Sequence, residues 1–116
     1  MGKRNRQRSK LKAPTSTYDG GDAGALELRG SMTPATRLEY AETLHDLSRQ
    51  TEDSWHRAVE FLFERLAVTW TISDVTTKGQ KPLLMRFRMA TQEERAFIRD
   101  ALRQHLAEWF PDLEAP

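Results

Sequence analysis

The stretch WHRAVEFLFERLAVTW, residues 55–70, constrains the fold of this chain more than any other. Trp55, Val59, Leu62, Phe63, Leu66 and Trp70 recur at steps of three to four, which on a helix of 3.6 residues per turn draws one broad apolar stripe. Ala58, Phe61 and Ala67 widen that stripe, while Arg57, Glu60, Glu64 and Arg65 keep the opposite side polar. The pattern predicts a central helix covered on more than one side.

A length of 116 residues allows one domain. The polar first third reduces the foldable part to roughly 80–90 residues, near the lower end of what a single core stabilises, so a bound partner or a second copy would help. The sequence leaves the oligomeric state open. Cysteine is absent, which removes disulfides, thiolate metal sites and a cysteine nucleophile and fits a reducing cytosol; a cytoplasmic location is expected. No apolar run approaches ~20 residues, and MGKRNRQRSK has no apolar segment behind its charges, so neither a membrane span nor a secretion signal is expected.

Near-neutral total charge hides an asymmetry. Lys3, Arg4, Arg6, Arg8, Lys10 and Lys12 put six cations on the first twelve residues with no acid among them. Twelve basic and seventeen acidic residues remain, so the arm is +6 and the body −5. Residues 1–24 hold a single aromatic, Tyr18, among Lys, Arg, Ser, Thr, Pro and Gly. Such a segment buries too little apolar surface to offset its ordering entropy, and it reads as a disordered basic arm and linker ahead of a helical domain over 25–116.

Within that domain, Leu26 and Leu28 alternate with Glu27 and Arg29, which suits a short extended segment with one covered face. Thr33 followed by Pro34 starts a helix over 34–47: the hydroxyl can accept from a free backbone donor, and proline at the first helical position has no hydrogen bond to lose. Thr51 or Asp53 can cap the central helix, predicted over 52–70. Beyond Leu66 the β-branched run of Val68, Thr69, Thr71, Ile72 and Val75 leaves 68–75 open between helix end and strand. Pro82 can open a short helix over 82–89. Thr91 and Glu94 form a T-x-x-E capping box for a last helix over 92–109, ended by Pro111. The expected fold is mainly α, a small single-domain bundle of about four helices, with room for a two-stranded β element from 25–29 and 70–75.

His45, His56 and His105 fall on three different predicted helices without H-E-x-x-H or other ligand spacing, so they read as surface or cap histidines and no metal is expected. Glu52 with Asp53 and Glu93 with Glu94 sit in first helical turns, where acids meet the positive end of the macrodipole. Glu60 and Glu64 share a solvated face with Arg57 and Arg65. None of these pairs has a visible pocket to shift its pKa values. G-x-S-x-G, Walker A and dinucleotide fingerprints are absent, so the chain reads as a non-enzyme with no cofactor.

Binding is the remaining class. The arm can neutralise several phosphates in a salt-dependent, largely sequence-independent way, or hold the acidic body of another copy, or simply be a solvated tail. Trp55, Trp70 and Trp109 each fall on an apolar stripe as core anchors, yet with five phenylalanines they are a large aromatic supply for a small core. A groove lined by Trp55, Phe63, Trp70 and Trp109 that accepts an apolar helical segment of another protein is the expected site. Nucleic acid held by Lys3, Arg4, Arg6, Arg8, Lys10 and Lys12 is the alternative.

The layout also carries a resemblance. ALELR at 25–29, T-P-x-x-R-x-E-Y at 33–40, L-A-V-T-W-T-I at 66–72 and G-x-x-P-L at 79–83 follow one another in an order similar to that of the small tail-assembly chaperones of long-tailed bacteriophages. The resemblance implies a helical, non-enzymatic protein that keeps a long apolar tape-measure protein soluble while a tail tube assembles.

Overall fold

The computed structural model describes residues 14–116. In chain order they form strand β1 (Thr15–Asp19), a 3-10 turn (Gly21–Ala23), strand β2 (Ala25–Arg29), helices α1 (Pro34–Leu44) and α2 (Thr51–Leu66), strands β3 (Ala67–Ile72) and β4 (Val75–Lys78), and helices α3 (Gln80–Arg88) and α4 (Gln92–Trp109). The strands make one antiparallel sheet in the order β1-β2-β3-β4. The architecture is α+β, which corrects the expected helical bundle. The described residues contain four helices, but these share the core with a four-stranded sheet instead of carrying a two-stranded appendage.

Each correction has a local cause. The central helix stops at Leu66, not at residue 70, because the β-branched run wins: Ala67 already has extended angles, φ −66 and ψ 127, and leads straight into β3. Thr15–Asp19 lies in the segment read as a flexible tail, yet only one of its faces is covered, so Tyr18 is all the burial it needs. The β3–β4 connection is a two-residue loop in which Ser73 (φ 49) and Asp74 (φ 66) both take left-handed angles, a type I′ turn without its usual Asn-Gly signature. Helix α1 ends at Leu44 instead of residue 47, where the Asp46 carboxylate accepts from the Ser48 N–H at 3.0 Å and offers the backbone a turn in place of helix.

Where the signals were local they hold. Thr33 caps α1 by accepting from the Thr36 N–H at 3.1 Å, and α4 opens on the full capping box, Thr91 Oγ1 accepting from Glu94 N–H while Glu94 Oε1 accepts from Thr91 N–H. Proline at position 82 sits in the first turn of α3, where a missing donor breaks no helical bond.

Leu26, Leu28 and Trp70 from the sheet, Leu62, Phe63 and Leu66 from α2, Phe87 from α3, and Ile98, Leu102 and Leu106 from α4 form one core. Phe63 stacks on Phe87 with ring centroids 4.9 Å apart and meets Trp70 edge-on at 5.9 Å. The Trp70 indole N–H donates to the Ala23 carbonyl at 2.9 Å, tying the 3-10 turn to β3. On the other face of the sheet, Thr15 and Thr69 donate to the two oxygens of Glu27 and Thr71 bonds Thr76, leaving a polar surface with no helix over it among the described residues. The described residues therefore form two layers, one sheet with helices on one side.

Candidate binding cleft

The four residues expected to line one groove do not meet. Phe63 and Trp70 are core residues that touch each other and are buried. Trp109 is half-buried under the opposite end of β1, where its indole N–H donates to Ser16 Oγ at 2.9 Å and its ring comes so close to Gly30 that a Cβ there would have no space. Only Trp55 remains near solvent, 50% exposed. Periodicity placed it on the stripe of α2, but the buried edge of that helix begins at Ser54 and Ala58, and no element covers the first turn on the tryptophan's side.

Trp55 lines a cleft of about 880 Å³ between the α1–α2 connection, the start of α2, the middle of α4 and residues 114–116. Leu44 and Val59 give it an apolar floor, Leu47 stands beside it 98% exposed, and α4 contributes Arg99 and Arg103. A single exposed leucine is ordinary, but Leu47 and Trp55 exposed together over an apolar floor make a contiguous patch of the kind that marks a binding site.

The connection is well tied. Asp46 accepts from the Ser48 hydroxyl at 2.6 Å and faces Arg49 at 3.3 Å, and its main-chain carbonyl accepts from Ser54 Oγ at 3.3 Å. The Ser48 hydroxyl, then the Ser48 N–H and Arg49, hold the Asp46 carboxyl below its ordinary pKa, so the turn carries its charge at neutral pH. Across the cleft mouth His45 Nε2 lies 2.8 Å from Glu114, and the Tyr40 hydroxyl donates to the Glu114 carbonyl, which anchors the C-terminal segment as a wall. Burial first and Glu114 second raise the Tyr40 pKa.

Charge on the cleft is uneven. Arg49 is engaged with Asp46 and Asp53, and Arg99 has only a loose contact with its neighbour Asp100 at 3.7 Å. Arg103 makes no ion pair among the described residues. An anionic group entering beside α4 would find two guanidinium donors not yet committed.

Comparison with protein-family models, curated proteins and solved structures gives no match. The cleft must be read from its own chemistry.

The histidines separate into two environments. His45 and His56 line the cleft, whereas His105 is fully buried under β1 and β2. Among the described residues no group of three or more His, Cys, Asp or Glu side chains could hold a metal ion, and no helix is long and apolar enough to cross a membrane. Lys3, Arg4, Arg6, Arg8, Lys10 and Lys12 lie outside the described residues. Leu47, Arg99 and Arg103 escaped the sequence reading for different reasons. Leu47 falls on the apolar stripe of a helix that in the structure ends at Leu44, and the arginines belong to the polar face of α4, where periodicity assigns no role.

Proposed function

We propose that the protein works by binding, with no chemistry of its own. Its cleft takes an amphipathic helical segment of another protein, apolar where it meets Leu47 and Trp55 and acidic where it meets Arg99 and Arg103. The observation that carries this reading is the shared exposure of Leu47 and Trp55 in one concave site. Covering the two side chains contributes about 3–4 kcal/mol before ordering costs, a useful anchor but not a whole interface. Shielding an apolar helical partner in the cytoplasm is also the role implied by the resemblance to tail-assembly chaperones.

A second reading rests on the arm, whose six cations without an acid suit phosphates. The two separate cleanly by experiment. Tagged full-length protein and its Leu47→Ser/Trp55→Ala variant are used to capture partners from native lysate, each with and without nuclease. Cleft binding predicts a protein that survives nuclease and moderate salt, is depleted on the variant, and carries an acidic amphipathic helix. Equal capture by both proteins excludes the cleft. Material that vanishes with nuclease, or on deleting residues 1–12, assigns function to the arm instead.

A further inference from the structure

The free side of β1 carries a second surface, separate from the cleft. In the β1–β2 ladder Ser16 faces Leu28 and Tyr18 faces Leu26, while Gly30 N–H donates to Pro14 and Gly20 N–H to Gly24, both at 2.7 Å. Antiparallel alternation then turns the N–H and C=O groups of Thr15, Thr17 and Asp19 away from the sheet. Natural sheets usually blunt such an edge with lysine, proline or a bulge, and T-S-T-Y-D has none of these. The opposite edge, β4, ends in Lys78 and is followed at once by α3.

Beside this edge runs a groove of about 430 Å³, with Thr17, Tyr18 and Asp19 on the strand side and Phe97, Asp100 and Gln104 on the helix side. An edge strand with a helix alongside is the geometry in which an extended segment adds as a further strand, its backbone bonding the edge and its side chains reading the groove. Here the groove reads for cations. Asp19 lies on the open-face side and Asp100 on the helix side, with Arg99 the only cation in contact with either among the described residues.

We propose that the groove receives the basic segment upstream of β1 from a second copy of this chain, so that two copies exchange arms. Ser9-Lys10-Leu11-Lys12-Ala13 alternates with the period of a strand. In one facing its lysines reach toward Asp19, in the other toward Asp100, so both orientations find an acid. The arm of the same chain is poorly placed to do this. Pro14 is still bonded to Gly30, so the chain leaves β1 at the end away from Asp19. The residue before a proline is also pushed to extended angles, which disfavours Ala13 in the left-handed position that a two-residue hairpin loop ahead of Pro14 needs. Exchange between two copies meets neither obstacle, is self-complementary, and joins a +6 arm to a −5 body.

The groove contains neither Leu47 nor Trp55, so this proposal and the cleft reading can fail independently. Sedimentation velocity on the full chain tests it. A dimer is expected at tens of micromolar in low salt, weakening by about tenfold or more on raising the salt severalfold. Thr17→Pro removes one outward N–H without touching the ladder to β2, and it should weaken dimerisation at least about tenfold while circular dichroism stays native. Asp100→Lys, on an exposed helical site, should do the same and serves if the proline variant does not fold. Carbodiimide cross-linking of mixed ¹⁴N and ¹⁵N chains should join Lys10 or Lys12 of one isotope to Asp19 or Asp100 of the other. A monomer at every concentration, a dimer indifferent to both substitutions or to loss of residues 1–13, or cross-links confined to single chains would overturn it.

Discussion

His105 shows how one side chain can be fixed by its surroundings. It is 0% exposed, its Nε2 lies 2.8 Å from the Arg29 carbonyl, and its Nδ1 lies 2.8 Å from the Tyr18 hydroxyl. A carbonyl only accepts, so Nε2 carries the proton and Nδ1 accepts from Tyr18, which defines a neutral tautomer. Burial is the main reason its pKa falls below the ordinary 6.5, against the opposing pull of the Arg29 carbonyl and Glu108. The same burial, with Glu108 nearby, pushes Tyr18 up to about 12. Because the unfolded chain binds a proton at His105 more readily than the folded one, stability is unaffected well above pH 6.5 and declines as the pH falls through that value. Tyr18→Phe leaves Nδ1 without its donor and is expected to cost about 1–3 kcal/mol at neutral pH, measurable by urea denaturation. Ligand spacing says nothing of this residue, but periodicity does: position 105 lies on the stripe of Ile98, Ala101, Leu102 and Leu106, where a histidine is a core residue.

At the scale of elements, legibility followed how local the determining interaction is. Thr33 before Pro34, and Thr91 with Glu94, are complete within four residues, and both helix starts were readable. The alternation at 25–29 points to β2, and its expected partner over 70–75 is realised in part, as Ala25 and Leu26 face Thr71 and Trp70 of β3. β1 and β4 carry no such signal, because each is four or five residues long and only half-covered, so the partner across the ladder decides it. Trp70 fits a helical stripe and a strand equally well; the β-branched neighbours and the bond to Ala23 settle it. In the turn, Ser73 takes a left-handed angle that serine does not favour, and Asp74 one that aspartate tolerates less well than glycine. Replacing them with Asn-Gly is therefore expected to stabilise the protein by about 0.5–1 kcal/mol, read as a rise in the thermal midpoint of a few degrees.

For the molecule as a whole, the sequence conveyed a single core centred on residues 55–70 and a strong charge division, but not where the surfaces would open. Of the four aromatic residues expected in one groove, two became core, one became a brace beneath β1, and only Trp55 faces a cleft. That outcome depends on which helix passes over which turn, and no window of sequence contains it. The passage from α2 to β3 has a consequence of its own. Leu66 ends the helix and Ala67 begins the strand, so no loop lies between them to open by itself. Amide hydrogen exchange should therefore show slow protons over residues 58–67 and 69–71, Val68 being skipped where the β2–β3 ladder shifts register, and both stretches released together on global unfolding, whereas a hinge at the junction would give them different rates. A ligand seated at Trp55, three residues ahead of Ala58 on the same helix, would then slow exchange as far away as the sheet, since helix and strand open only together.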